Sequence, residues 1–323
     1  MYKVIMVPTD GSGFDREAIR VALRIAERSD AKVRLVRVLA TGSYFGMAVG
    51  AEGTAIAAEV VHSERDKALS ELYALAAECR ATSTADITVD LHAGPIDEVL
   101  QGYARRNEVD LIVISTHGRS GISRLSLGSV TDSLIRHTTI PVLVVKPPTS
   151  YLNPQVIEAF KRIVVPLDGS TLAEQILPRV LELAKLEEAE ITLLNVLIPQ
   201  SYSQKEIVDP SLPWWDKDIS HAQSYLFRIA GRLRRNRVAV TTDIVIGENV
   251  ASAIGDFASR EKADLIAIAT HGRGGLARMI RGSVADAIMH SARMSMLVFK
   301  PDQVAEKETS LSTDGIRADL IPA

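Results

Sequence analysis

One glycine-bracketed stretch occurs twice in this chain, and the duplication limits the fold more than any other feature. Thr116-His117-Gly118 is followed after nine residues by Gly128-Ser129-Val130, and Thr270-His271-Gly272 after nine residues by Gly282-Ser283-Val284. The flanking segments repeat with the loops. Residues 3–12 return as residues 162–170, carrying Asp10-Gly11-Ser12 onto Asp168-Gly169-Ser170 at an offset of 158, and the glycine loops recur at an offset of 154. Val144, Lys146 and Pro147 reappear at that same spacing as Val298, Lys300 and Pro301. Such a period exceeds the roughly 20–50 residues of solenoid repeats, so each copy is a whole domain.

Within the first copy, apolar runs at 3–7, 33–39, 87–91, 110–114 and 141–145 alternate with amphipathic stretches at 14–28, 56–80, 96–107 and 129–138. The second copy has runs near 162–167, 190–197, 239–245, 264–269 and 295–299, with helical spacing at 171–185, 219–236, 248–260 and 283–292. Strands that alternate with helices imply a parallel sheet covered on both faces. The expected fold class is α/β, with two tandem doubly wound domains, each a five-stranded parallel sheet with helices on both faces. The expected domains are residues 1–147 and 160–301, joined by a proline-rich linker at 148–159 and followed by a tail at 302–323 that lacks sustained periodicity.

At 323 residues, with 46% hydrophobic and 24% charged content, the chain is long enough for two domains with separate cores. A formal net charge of -3 gives no general affinity for nucleic acid or an anionic membrane, so any anion site must be local. Cys79 is the only cysteine, which excludes an intrachain disulfide and fits a reducing compartment. Residues 2–7 read as a strand rather than a signal peptide, and no apolar run reaches ~18 residues. The expectation is a cytoplasmic protein without a nucleic-acid or membrane partner.

Each glycine loop follows a strand and opens a helix, where backbone N–H groups at the positive end of the helix dipole suit phosphate. Residues 119–127 contain Arg119 and Arg124 and no acid; residues 273–281 contain Arg273, Arg278 and Arg281 and no acid. The competing reading makes the glycines turn residues and the arginines solvated charge. Ser129 and Asp132, like Ser283 and Asp286, also have the spacing of a capping box, which puts an acid beside the proposed phosphate. Asp10 and Asp168 end the first strand of each copy. There a carboxylate reaches a ligand in the crevice of an open sheet or caps the next helix, and both uses stay open. His117 and His271 have no nucleophile or carboxylate at a recognisable spacing, so neither is assigned to catalysis. The loops have no carboxylates for a dedicated metal site; Mg²⁺ enters only on a triphosphate. Trp214 and Trp215, after Pro213, read as a packing anchor or a partner surface.

These residues resemble the universal stress protein family, across about residues 1–147 and 160–301. The ATP-binding subgroup of that family carries Gly-x-x-Gly, nine residues, then Gly-Ser/Thr. Gly118, Gly128 and Ser129 match in the first copy, and Gly272, Gly282 and Ser283 in the second, while Ser115 and Ala269 replace the first glycine. The resemblance implies that ATP is bound in each half. Adenine would lie near Asp10 and Val38 or near Asp168 and Val196. The phosphates would lie against Gly118, Gly128, Ser129 and Val130 or against Gly272, Gly282, Ser283 and Val284. It also implies pairing through the fifth strand, here expected between the two halves of one chain. A homodimer of tandem chains and an unidentified protein partner are separate expectations. A nucleotide-dependent regulatory or stress role with slow or no hydrolysis follows. A slow adenine-nucleotide hydrolase and a nucleotide-free scaffold are the alternatives on the same fold.

Overall fold

The computed structural model describes residues 1–40, 50–116, 128–146, 159–199, 213–270, 283–292 and 294–301; side chains of 50–58, 213–216 and 283 lie outside that description. In the first half, strands β1 (Val4–Pro8), β2 (Lys32–Leu39), β3 (Asp86–Ala93), β4 (Leu111–Ser115) and β5 (Val142–Val145) alternate with helices α1 (Arg16–Ser29), α2 (Gly50–Thr82), α3 (Ile96–Arg106) and α4 (Ser129–His137). The second half begins with β6 (Arg162–Pro166), α5 (Thr171–Glu174), α6 (Leu177–Glu187), β7 (Glu190–Leu197) and α7 (Pro213–Arg234). It ends with β8 (Val240–Ile246), α8 (Val250–Arg260), β9 (Leu265–Ala269), α9 (Ser283–Ser291) and β10 (Ser295–Phe299). The proposed linker and tail fall largely outside the described residues, as do the side chains of Trp214 and Trp215.

All ten strands form one sheet in the order β3-β2-β1-β4-β5-β10-β9-β6-β7-β8. Each half is parallel throughout and doubly wound, with a switch point between β1 and β4 and another between β6 and β9. The halves join through antiparallel pairing of β5 with β10, Leu143 opposite Leu297. The expected in-chain pairing of fifth strands is therefore present. Val142, Leu143, Val144 and Val145 are at most 1% exposed, which explains why this strand reads as an unbroken apolar run.

The expectation of separate cores is corrected. Continuity of the sheet makes each of its faces continuous, so each core spans both halves. One core packs α1, α2, α6 and α7 on one face, with Ile25, Leu72, Leu183 and Leu226 among its buried members. The other packs α3, α4, α8 and α9 on the opposite face, including Leu100, Leu134, Phe257 and Ile288. The helix expected over 171–185 is likewise two helices. Pro178 lies at the start of α6, where it lacks an N–H to donate and its ring crowds the carbonyl of Glu174 four residues back. Arg20 holds the matching place in α1, which is continuous. Helix α7 starts earlier than expected because Pro213 is tolerated in a first turn.

Across the joint, each half caps the last helix of the other. Lys146 Nζ donates to the Met289 carbonyl at 2.9 Å and to that of Ala292, at the end of α9. Lys300 Nζ donates to the Arg136 carbonyl at 2.7 Å, near the end of α4. Cations at helix C-termini satisfy orphan carbonyls and suit the dipole. Burial lowers the Lys146 pKa below the usual lysine value. Lys146→Met is expected to cost about 1–3 kcal/mol, because two part-buried carbonyls lose their donor; the measurement is the denaturant midpoint of the full chain, and an unchanged midpoint would show that water replaces the lysine.

Candidate functional site

The crevices lie at the carboxyl ends of the strands, at the two switch points. In the first half, Thr9 N–H donates to the Val36 carbonyl at 2.9 Å, extending the β1–β2 ladder to the start of the β1–α1 turn. Asp10 is half-buried and accepts from the Ser12 N–H at 2.8 Å. Asp168 is exposed and accepts from the Ser170 N–H at 2.9 Å and the Ser170 hydroxyl at 2.6 Å. Neither carboxylate caps a helix. Asp15 stands at the N-cap of α1, and Ser170 caps α5 by accepting from the Ala173 N–H at 3.1 Å. The capping alternative for Asp10 and Asp168 is thereby corrected, and both shape the turn that borders the crevice.

Two further residues hold the first turn. The Thr9 hydroxyl donates to Asp15, which is 4% exposed, and accepts from the Gly11 N–H at 3.2 Å. Gly11 has φ +75°, which favours glycine, and a Cβ there would lie 2.9 Å from Arg37 Nη1, so the guanidinium would have to shift. Arg37 is buried and donates to Glu71 of α2 at 2.8 Å. Asn195 replaces Arg37 in the second half, with its Nδ2 donating to the Leu167 carbonyl at 2.7 Å and its Oδ1 buried without a partner among the described residues. The parity of Arg37, which matches Val33 and Leu35 on the buried face whereas Arg34 has the opposite parity, is the sequence signal for this guanidinium.

On the other side of the crevice, Thr116 directly follows β4 and its carbonyl accepts from the Gly128 N–H at 3.1 Å. A Cβ on Gly128 would meet that carbonyl at 3.4 Å, an ordinary van der Waals contact at a backbone conformation open to any residue. Gly128 is the N-cap of α4, with Ser129 already inside the helix. The capping box expected from Ser129 and Asp132 does not form. Glycine has no side chain to cap, and both Asp132 oxygens accept from Arg136 Nε at 2.8 Å, one turn on. Among the described residues the first-turn N–H groups are thus not taken by a capping side chain, and the acid beside them is neutralised by its own helix.

Val38 and Val196 are half-buried, as are Val130 and Val284, and all four pack against the core shared by α3, α4, α8 and α9. The structure thus brings Asp10, Val38, Gly128, Ser129 and Val130 to one end of the first half's strands, and Asp168, Val196 and Val284 to the matching end of the second. His117, Gly118, His271, Gly272, Gly282 and the loop arginines lie outside the described residues, as does the side chain of Ser283. Among the described residues no group of three or more His, Cys, Asp and Glu side chains could hold a metal.

The walls of the crevices differ. In the first half Val38 pairs with His92 on β3, and the His92 ring meets Tyr103 edge-on at 5.3 Å. Tyr103 donates to Asp90 at 2.6 Å and accepts from Arg34 at 3.3 Å; burial, with Asp90 adding to it, pushes its pKa up to about 12. In the second half Val196 pairs with Val245, and Phe257 occupies the matching position on α8. This polar wall depends on register between strands, which local pattern does not reveal.

The Usp family model, "Universal stress protein family", matches residues 1–146 and 159–300. The chain belongs to the universal stress protein family. The universal stress protein MJ0531 of Methanocaldococcus jannaschii is 34% identical over 149 residues, covering 46% of this chain and 84% of that protein. The universal stress protein Mb2019 of Mycobacterium bovis is 24% identical over 319 residues, covering 93% of this chain and 95% of its own. Among solved structures, a universal stress protein from Archaeoglobus fulgidus shares the fold with a TM-score of 0.64 at 17% identity, covering 93% of this chain and 97% of that one. No described helix is long and apolar enough to cross a membrane.

The hydrogen bonds of the first turn set an order of stability costs. Asp15→Ala is expected to cost about 1–3 kcal/mol, since it leaves a buried Thr9 hydroxyl without its acceptor. Asp10→Ala, which removes the bond to the Ser12 N–H at a half-buried position, is expected to cost less, about 0.5–1.5 kcal/mol. Equal costs in chemical denaturation would assign Asp10 a larger structural role than this geometry gives it.

Proposed function

We propose that the chain binds an adenine nucleotide in each half and serves a nucleotide-dependent regulatory role, in which occupancy alters the surface offered to a protein partner. The observation that carries the reading is the first switch-point crevice. Asp10 borders one side, and on the other α4 begins behind Gly128 without a capping side chain. N–H groups at a helix start that no described side chain caps suit phosphate, and a carboxylate at a strand end suits a base or ribose donor. The proposed contacts are Asp10, Val38, Gly118, Gly128, Ser129 and Val130 in one half, and Asp168, Val196, Gly272, Gly282, Ser283 and Val284 in the other. ATP fits this set, with Mg²⁺ arriving on the triphosphate rather than held by a protein cage. The two nucleotide-binding units are residues 1–147 and 160–301, and turnover is slow because no residue is assigned to activate water.

Nucleotide released by denaturing freshly purified chain, quantified by chromatography and mass, is expected at one adenine nucleotide per crevice. Gly128→Val and Gly282→Val are each expected to remove one of them while the fold persists by circular dichroism. Asp10→Ala is expected to weaken titrated ATP binding in the first half. Unchanged stoichiometry in both glycine variants, or no bound nucleotide and no heat on adding ATP, would leave a scaffold role. Steady release of ADP would make the chain a hydrolase.

A further inference from the structure

The two halves touch along both faces of the sheet, and the two contacts differ in kind. On the face of α4 and α9, the groups involved are largely common to both halves. Lys146 and Lys300 exchange helix caps, and Arg136 joins Asp132 to Asp286, the latter at 3.4 Å. The lysine caps and both aspartates recur in each half, whereas Arg136 has His290 at its matching place, so on this face the halves differ by one half-buried arginine.

On the face of α1 and α6 the contact is one-sided. Glu187 of α6 is fully buried. Its Oε1 accepts from Arg24 Nε at 3.1 Å and Nη2 at 2.9 Å, and its Oε2 from Arg28 Nη1 at 2.6 Å. The offset of 158 that carries Asp10 onto Asp168 carries Arg24 onto Glu182, Arg28 onto Leu186 and Ser29 onto Glu187. The helix ends confirm the alignment, because Asp30 and Glu188 close α1 and α6 with left-handed φ of 55° and 54°.

We propose that this cluster is a pairing code, by which the first half accepts the second half and rejects a copy of itself. Two first halves would set Arg24, half-buried here, and Arg28, exposed here, of each against Ser29 of the other, gathering like charges with no carboxylate between them. Two second halves would set Glu187 of each against Glu182 and Leu186 of the other, burying carboxylates with no cation. Leaving a buried charge unpaired costs far more than the pair itself contributes, so the effect is on choice of partner more than on stability. The chain therefore closes on its own other half, and a second chain joins through this face only by exchanging halves.

The test is charge exchange in the full chain, read by thermal unfolding. Glu187→Arg is expected to lower the midpoint by roughly 5–10 °C, and Arg24→Glu with Arg28→Glu to do the same. All three substitutions together are expected to bring the midpoint back to within about 2 °C of the wild type, since opposite charges meet again. Glu187→Gln, similar in shape and uncharged, is expected to fall between wild type and Glu187→Arg. Recovery in the triple variant supports the code even where a parent variant fails to fold. A triple variant no better than its parents overturns it, and so does a Glu187→Gln midpoint as low as that of Glu187→Arg.

Discussion

Three residue pairs at the centre of the sheet hold this molecule in one piece: Val142, Leu143 and Val144 of β5 against Val298, Leu297 and Met296 of β10. A strand edge left open presents unpaired N–H and C=O groups, and this one is apolar on both faces. Joining the two edges removes both liabilities at once and extends each face of the sheet into a single surface. The shared cores, the exchanged lysine caps and the buried Glu187 cluster all presuppose that join.

Duplication supplied two copies of every part, and the structure has treated the copies unequally. The cross-joint lysines and the first-turn aspartates of α4 and α9 persist in both halves. Arg37, His92 and Tyr103 of the first half face Asn195, Val245 and Phe257 of the second. The crevices are therefore alike in their floor and unlike in their walls. A ligand that contacts only strand ends and helix starts meets two similar sites, whereas one that reaches β3 or β8 meets two different ones.

The order and type of most elements were legible because strands of a parallel sheet are buried on both sides and read as unbroken apolar runs, as in residues 111–114 and 265–268. What escaped local reading required knowledge of partners. The break at Pro178 was written in the sequence, yet the amphipathic spacing around it suggested one helix. Ser129 and Asp132 had capping spacing, but the helix begins at Ser129, one residue earlier than that role requires, and Arg136 claims the acid. Cores looked separate because nothing in a linear repeat shows that the two sheets become one. The His92–Tyr103–Asp90–Arg34 wall and the Arg24–Glu187–Arg28 cluster each combine residues from different elements, so register and packing alone bring them together.

The antiparallel joint has a geometrical outcome. Strands within each half run parallel, and the halves run opposite to one another, so the carboxyl ends of β1 and β4 point away from those of β6 and β9. The two crevices consequently open toward opposite poles of the molecule. A rigid body placed over one mouth would leave the other uncovered. The chain is in this respect two-headed: two visitors could read it at once without meeting.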